Sequence, residues 1–254
     1  SVHADVKTLT GFHGEKLSDL KLDYSAAGSR LNGLKLSATS GSGGAITVTD
    51  TGDGDGRALA MKSADAGAML RFLDIYEHMQ GGGISLTLNG GATGPMTGTV
   101  VARDFLIVDE PKLASIVSTT PAGDSRSLNQ AVRGNIDTSQ VKFERGAAQI
   151  EKGNGYLRLS NGVLRGPLIG TTFQGTLYDQ DNNMDMTGTF MPAYGLNRIF
   201  GELPVIGALL GNGRDRGLIG VTYRLRGDAG QPNLEINPLS VIAPGIFRSI
   251  FEYR

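Results

Sequence analysis

Alternation with a period of two residues runs through the chain from end to end. Leu20, Leu22 and Tyr24 alternate with Lys21 and Asp23, and Leu34, Leu36 and Ala38 alternate with Lys35 and Ser37. The same period returns in Ile84, Leu86 and Leu88, in Leu157 and Leu159, and in Ile169, Thr171, Phe173, Gly175 and Leu177. It returns again in Met184, Met186 and Phe190 and in Ile219, Val221, Tyr223 and Leu225. Side chains at i and i+2 share one face of a strand, so each run predicts a strand with one apolar and one polar face. Between the runs stand SGSGG (40–44), TGDGDG (51–56), NGG (89–91), KGNG (152–155) and DQDNN (179–183). Such short turn-forming stretches predict antiparallel neighbours, because a parallel crossover needs about a dozen residues or more.

Several segments break the period. Over 63–80, Met69, Phe72, Leu73, Tyr76 and Met79 fall on one helical face and Arg71, Asp74 and His78 on the other, with Ser63 or Asp65 as N-cap and Gly81 as a stop. This predicts an amphipathic helix of about four turns. EPKLASIVS (110–118) and SLNQAVR (127–133) predict one or two helical turns each, within a stretch, 111–140, where alternation fades. The expected organisation is therefore an N-terminal β segment over 1–110, a helical connector over 111–140 and a C-terminal β segment over 141–254. In the last of these, PAYGLNRIF (192–200) and LPVIGALLG (203–211) predict a pair of short helices broken by Pro204, spanning 193–211. APGIFRSIFEY (243–253) predicts a closing apolar helix, with Pro244 in its first turn.

Composition narrows the chemistry. Lys and Arg number 24 against 25 Asp and Glu, so the net charge of −1 leaves no basic field for nucleic acid. Cysteine is absent, which removes disulfides, thiolate nucleophiles and Cys-ligated zinc. The 38 glycines fit a chain with many turns, and no apolar run reaches the 18 residues of a membrane-spanning helix. The chain begins SVHADV, without an initiator Met or a signal-peptide pattern, and is expected to be part of a longer or processed protein.

No catalytic or metal motif stands out. His3, His13 and His78 lack the i, i+4 spacing of a helical zinc pair. A calcium loop starting at Asp50 or Asp53 would need its bidentate Glu where Met61 or Ala64 stands, so GDGDG is expected to be a hairpin turn. DQDNNMD has Met184 at the glycine position of such a loop and is expected to be another hairpin tip. GNGRDRG (211–217) follows a helical segment and opens a strand, the reverse of a dinucleotide loop, and is expected to be a solvated turn carrying Arg214 and Arg216. The expectation is a non-enzyme with no cofactor and no metal. Its apolar strand face is then either the core of a sandwich or barrel, or the lining of a groove for an apolar ligand.

The C-terminal third adds a resemblance. TGTFMPAYGLN, ELPVIGALLG, GLIGVTYRLRG and QPNLEINPLSVIAPGIFRSIF, in that order, resemble the C-terminal domain of AsmA-like proteins of Gram-negative bacteria, the YhdP-like branch in particular. DAGAMLRFLDIYEHMQGGGISLTLNG and GTVVARDFLIVDEPKLASIVS resemble the family's helix-then-hairpin unit, extending the likeness over most of 60–254. The resemblance implies a long antiparallel twisted sheet forming an open groove or half-barrel, capped by a few short helices. It also implies the periplasmic part of an inner-membrane-anchored protein, carrying phospholipid acyl chains between the two membranes and supporting outer-membrane integrity. Expected groove-lining residues are Leu157, Leu159, Ile169, Phe173, Leu177, Met186, Phe190, Ile219, Val221 and Tyr223, and expected capping-helix residues are Leu203, Ile206, Leu209, Leu210, Phe247, Ile250 and Phe251. The other expectation is a structural or docking module, with a closed β core and C-terminal helices that bind an envelope protein or the outer membrane.

Overall fold

The alternating segments become strands, and each strand pairs with the next one in sequence. In a computed structural model of the chain, residues 1–28, 30–53, 56–91, 94–118, 137–191 and 221–237 are described, with side chains left aside at 30, 53, 191 and 221. The strands are β1 (Val2–Thr10), β2 (Lys16–Ala27), β3 (Arg30–Ser40), β4 (Ala45–Asp53), β5 (Gly56–Ser63), β6 (Met79–Gly91) and β7 (Met96–Val108). They continue as β8 (Gln140–Gly153), β9 (Tyr156–Arg165), β10 (Gly170–Tyr178), β11 (Asn183–Met191), β12 (Val221–Asp228) and β13 (Asn233–Asn237). Among the described residues, all thirteen lie in one antiparallel sheet in chain order, from β1 at one edge to β13 at the other, and the sheet is not closed.

The expected turns sit at the tips of these hairpins. Gly153 pairs with Tyr156, leaving Asn154 and Gly155 as a two-residue turn with Gly155 at φ +73°, the left-handed conformation that glycine adopts without strain. Asp179 Oδ1 accepts from the backbone N–H groups of Asp181 and Asn183, closing the turn between β10 and β11. The Asp and Asn side chains that suggested calcium ligation thus serve as turn formers here.

The alternation slips wherever an Asp or Asn takes a left-handed backbone inside a strand. Asp19, Asp104 and Asn161 have φ of 51°, 52° and 50°, a conformation that Asp and Asn tolerate better than other residues with a side-chain Cβ. Leu17 and Leu20, three apart across Asp19, are both buried, and Ala102 and Phe105, three apart across Asp104, pack in one cluster. At Asp19 and Asn161 the pairing register shifts, as in a β-bulge, whereas the pairs on either side of Asp104 keep one register; in each case the strand exchanges the faces of its side chains partway along.

Among the described residues, two α-helices interrupt the hairpins. α1 (Ala66–Phe72) joins β5 to β6, with the Asp65 carboxylate accepting from the Ala68 N–H at 2.9 Å as N-cap. α2 (Pro111–Ser118) follows β7 and buries Ile116 and Val117. The four-turn helix expected over 63–80 is shorter, because residues from Met79 onward pair with β7 and Asp74 turns the chain at φ 55°. Leu73, expected on the apolar face, is 47% exposed for the same reason. The chain between β7 and β8 is also an excursion from one sheet: Met96 to Val108 pair with Gln140 to Lys152, so the expected N- and C-terminal β segments are continuous.

Candidate functional site

Antiparallel register fixes which side chains share a face, since directly opposed residues point the same way. One row crosses Ala4, Leu22, Leu36, Val48, Met61, Leu86 and Val100, from β1 to β7, and reaches Ala148 on β8. A second row on the same face passes through every strand: Val2, Tyr24, Leu34, Asp50, Leu59, Leu88, Gly98, Ile150, Leu159, Gly175, Met186, Leu225 and Leu234. The row between them on the opposite face carries Asp23, Lys35, Thr49, Ala60, Thr87, Thr99, Gln149 and Ser160, and the next one toward the helical rim carries Lys21, Ser37, Thr47 and Lys62. The sheet therefore has one apolar face, called inner here, and one polar face.

The connections divide the inner face lengthwise. α1, α2 and the 3-10 turn Phe12–Gly14 all lie at the ends of strands on one rim, while the β4–β5, β6–β7, β8–β9 and β10–β11 hairpins have their tips at the other. At the helical rim the face is closed. Met69 of α1 packs with Leu17, Leu20, Ala38 and Ile46, and Ile116 and Val117 of α2 belong to a cluster with Phe105, Phe143, Ile169 and Phe190. Phe105 and Phe143 stack with ring centroids 5.4 Å apart. Ala4, Leu22, Leu36, Val48, Met61, Leu86 and Val100, one row further out, are all only half-buried. At about 4.8 Å per strand this half-buried track is roughly 29 Å long.

Polar groups hold the helical rim in place. Arg71 of α1 donates to Glu15 at 2.7 Å and to the Met79 carbonyl. The Tyr76 hydroxyl donates to Glu110 at 2.8 Å, and Glu110 accepts from the Lys112 N–H at 3.0 Å at the start of α2. Burial, with Glu110 beside it, pushes the Tyr76 phenol well above its ordinary pKa. His13 meets Asp74 at 2.6 Å, tying the first turn to the chain after α1. Among the described residues, no three His, Asp or Glu side chains are grouped so as to hold a metal ion.

Among the described residues, Arg57 and Lys152 stand on the inner face at the opposite rim. Asp50 lies between Leu34 and Leu59 in the apolar row, with its side chain 4% exposed, and Arg57 covers it. Arg57 donates from Nε at 3.0 and 3.1 Å and from Nη2 at 2.5 Å; these hydrogen bonds hold its pKa above the ordinary value against the opposing effect of desolvation. Lys152 is opposed by Met96 and Leu157 on the same face, donates to the Gly153 carbonyl at 2.8 Å and stands 5.7 Å from the Tyr178 ring.

A cleft of about 740 Å³ crosses β9 to β13, centred on the opposed residues Gly162, Phe173, Gly188, Tyr223 and Ile236. Thr171 Oγ1 lies 3.2 Å from the Tyr223 hydroxyl, which donates to the Thr172 carbonyl at 3.2 Å. Burial pushes the Tyr223 phenol up, opposed by the Thr171 contact.

The expected groove residues divide by burial. Ile169 and Phe190 are 1% exposed and Met186 5%, packed rather than presented, because the helical-rim cluster or neighbouring strands cover them. Leu157, Leu159, Phe173, Leu177 and Tyr223 are half-buried, and Phe173 and Tyr223 line the cleft. Val221 is described by its backbone, opposite Phe190. Ile219 and the expected capping residues Leu203, Ile206, Leu209, Leu210, Phe247, Ile250 and Phe251 lie outside the described residues. The half-buried track on β2 to β7 was missing from the expected set, although Leu22, Leu36 and Leu86 stand in alternating runs. Asp50 and Lys152 adjoin turn-forming stretches, and the signal of their inward placement is their position in the phases Ile46, Val48, Asp50 and Ala148, Ile150, Lys152.

Among the described residues, no helix is long and apolar enough to cross a membrane. No protein-family model, curated protein or solved structure matches the chain.

Proposed function

We propose that the inner face binds the acyl chains of phospholipid, and that the chain is a non-enzymatic segment of a lipid conduit in the periplasm of a Gram-negative bacterium. The observation that carries this reading is the row from Ala4 to Val100, seven half-buried apolar side chains in register across seven strands. Each methylene placed there is worth about 0.8 kcal/mol, so an acyl chain needs no specific polar contact to be held. The row runs across the strands without a step, which suits sliding of a chain from one strand to the next.

A photoreactive amino acid at Leu86 should crosslink to phospholipid in cells, and one at Phe143, 2% exposed beneath the helices, should not. Absence of lipid adducts from Leu86, Leu36 and Met61 alike would rule the reading out. A structural or docking module is the second reading. The cluster of Phe105, Phe143, Ile169 and Phe190 favours it, since that part of the face is filled by the protein's own side chains.

A further inference from the structure

The two rims of the inner face differ in chemistry as well as in shape. The helical rim is covered by α1 and α2, with Met69, Ile116 and Val117 buried against the strands. No helix among the described residues lies at the hairpin rim, and there the apolar face ends in Arg57 and Lys152. Gly52, Arg57 and Gly90 are mutually opposed; Gly90 lies against Met96 across the β6–β7 hairpin, and Met96 is opposed by Lys152. The two cations therefore stand in one transverse row with β6 and β7 between them, about 14 Å apart at ordinary strand spacing. Immediately inside that row come Leu59, Leu88 and Ile150.

We infer that the hairpin rim is the head-group side of the face, where Arg57 and Lys152 each offer a cation to the phosphate of a lipid whose acyl chains lie on the apolar rows. This rests on the lipid reading above. Among the described residues α1 and α2 wall the helical rim, which directs the head of an amphiphile on this face toward the hairpin tips. A cation there meets a phosphodiester, which is negative, while its aliphatic stem stays on apolar surface. Asp50 orients Arg57 through Nε and Nη2 and leaves the Nη1 donors for a second anion. A guanidinium suits this role because its planar fork serves two oxygen partners at once. Lys152, which donates to the Gly153 carbonyl, adds a second positive charge at the other side of the β6–β7 tip.

The test uses the purified chain loaded from detergent micelles with dioleoylphosphatidylglycerol or with dioleoylglycerol, which has the same acyl chains and no phosphate, and read by native mass spectrometry. In D50N/R57Q/K152Q, where no buried carboxylate is left unpaired, loading with the phospholipid should weaken about fivefold while dioleoylglycerol is unchanged. K152Q alone, which leaves the Asp50–Arg57 pair intact, should weaken it about twofold and guards against misfolding of the triple variant. Lys62→Gln, on the polar face, should change nothing. Phospholipid loading that is unaltered in both variants would overturn the head-group assignment while leaving the groove reading standing. Failure of the wild-type chain to take up either lipid would overturn the groove reading itself. Displacement of the phospholipid by inorganic phosphate would reassign the two cations to a free-anion site.

Discussion

The Tyr223 ring on β12 covers Gly188, its directly opposed partner on β11, and fills the space that a side chain at 188 would need. A Cβ at Gly188 would fall 2.5 Å from the Tyr223 Cζ and hydroxyl oxygen, and nearer still to the Thr172 carbonyl. Phe173 covers Gly162 in the same way on the neighbouring strand pair. Glycine and aromatic residues alternate along this row, so the rings lie flat over backbone and the cleft keeps its depth. Gly188→Ala should therefore destabilise the fold by roughly 1–3 kcal/mol through overpacking. Urea denaturation would check this, and an unchanged midpoint would show that the ring can move aside freely.

Asp104 places Ala102 and Phe105 on one face by taking a left-handed backbone. Asp104→Gly should be tolerated, whereas Asp104→Val should cost about 1–2 kcal/mol, because a β-branched residue is poorly accommodated at φ 52°. The comparison of the two thermal unfolding midpoints isolates backbone strain, since both variants lose the same carboxylate.

Phe143 and Leu86 stand on the same face at opposite extremes of packing. Phe143→Ala should cost about 3–5 kcal/mol, as for a large side chain deleted from a close-packed site. Leu86→Ala, with its side chain half in solvent, should cost clearly less, on the order of 1–2 kcal/mol. Equal losses in chemical denaturation would mean that the track is packed core throughout.

His3 should titrate above its ordinary range. Its ring meets Asp23 at 2.5 Å, and that hydrogen bond, with the charges of Asp23 and Asp5, raises the imidazole pKa above 6.5. With the folded value raised, the stabilisation it gives the β1–β2 pair is fully present below the unfolded value and is lost as pH rises through the folded one. Imidazole proton shifts followed by NMR should show the raised midpoint, and Asp23→Asn should bring it back down.

Strand identity was legible because side chains alternate: Leu20 to Tyr24, Leu34 to Ala38 and Ile84 to Leu88 each lie in a strand. The turns at 40–44, 152–155 and 179–183 were legible because glycine, Asp and Asn supply the backbone and capping chemistry of tight connections. The length of α1 was not, since the helical spacing of Tyr76 and Met79 competes with pairing of Met79 to Ile107, and the sheet wins.

What the sequence determined by itself is local: a two-residue period that makes one face of each strand apolar, and turn residues that force antiparallel neighbours. Only the tertiary structure decided how those faces are used. Register aligned Leu36, Val48, Met61 and Leu86 into one continuous row and set Arg57 and Lys152 in another. Packing of α1 and α2 then buried Phe143, Ile169 and Phe190 and left the adjoining row half-exposed. Alternation cannot distinguish these outcomes, because an apolar side chain has the same period whether it meets a helix, another strand or a ligand.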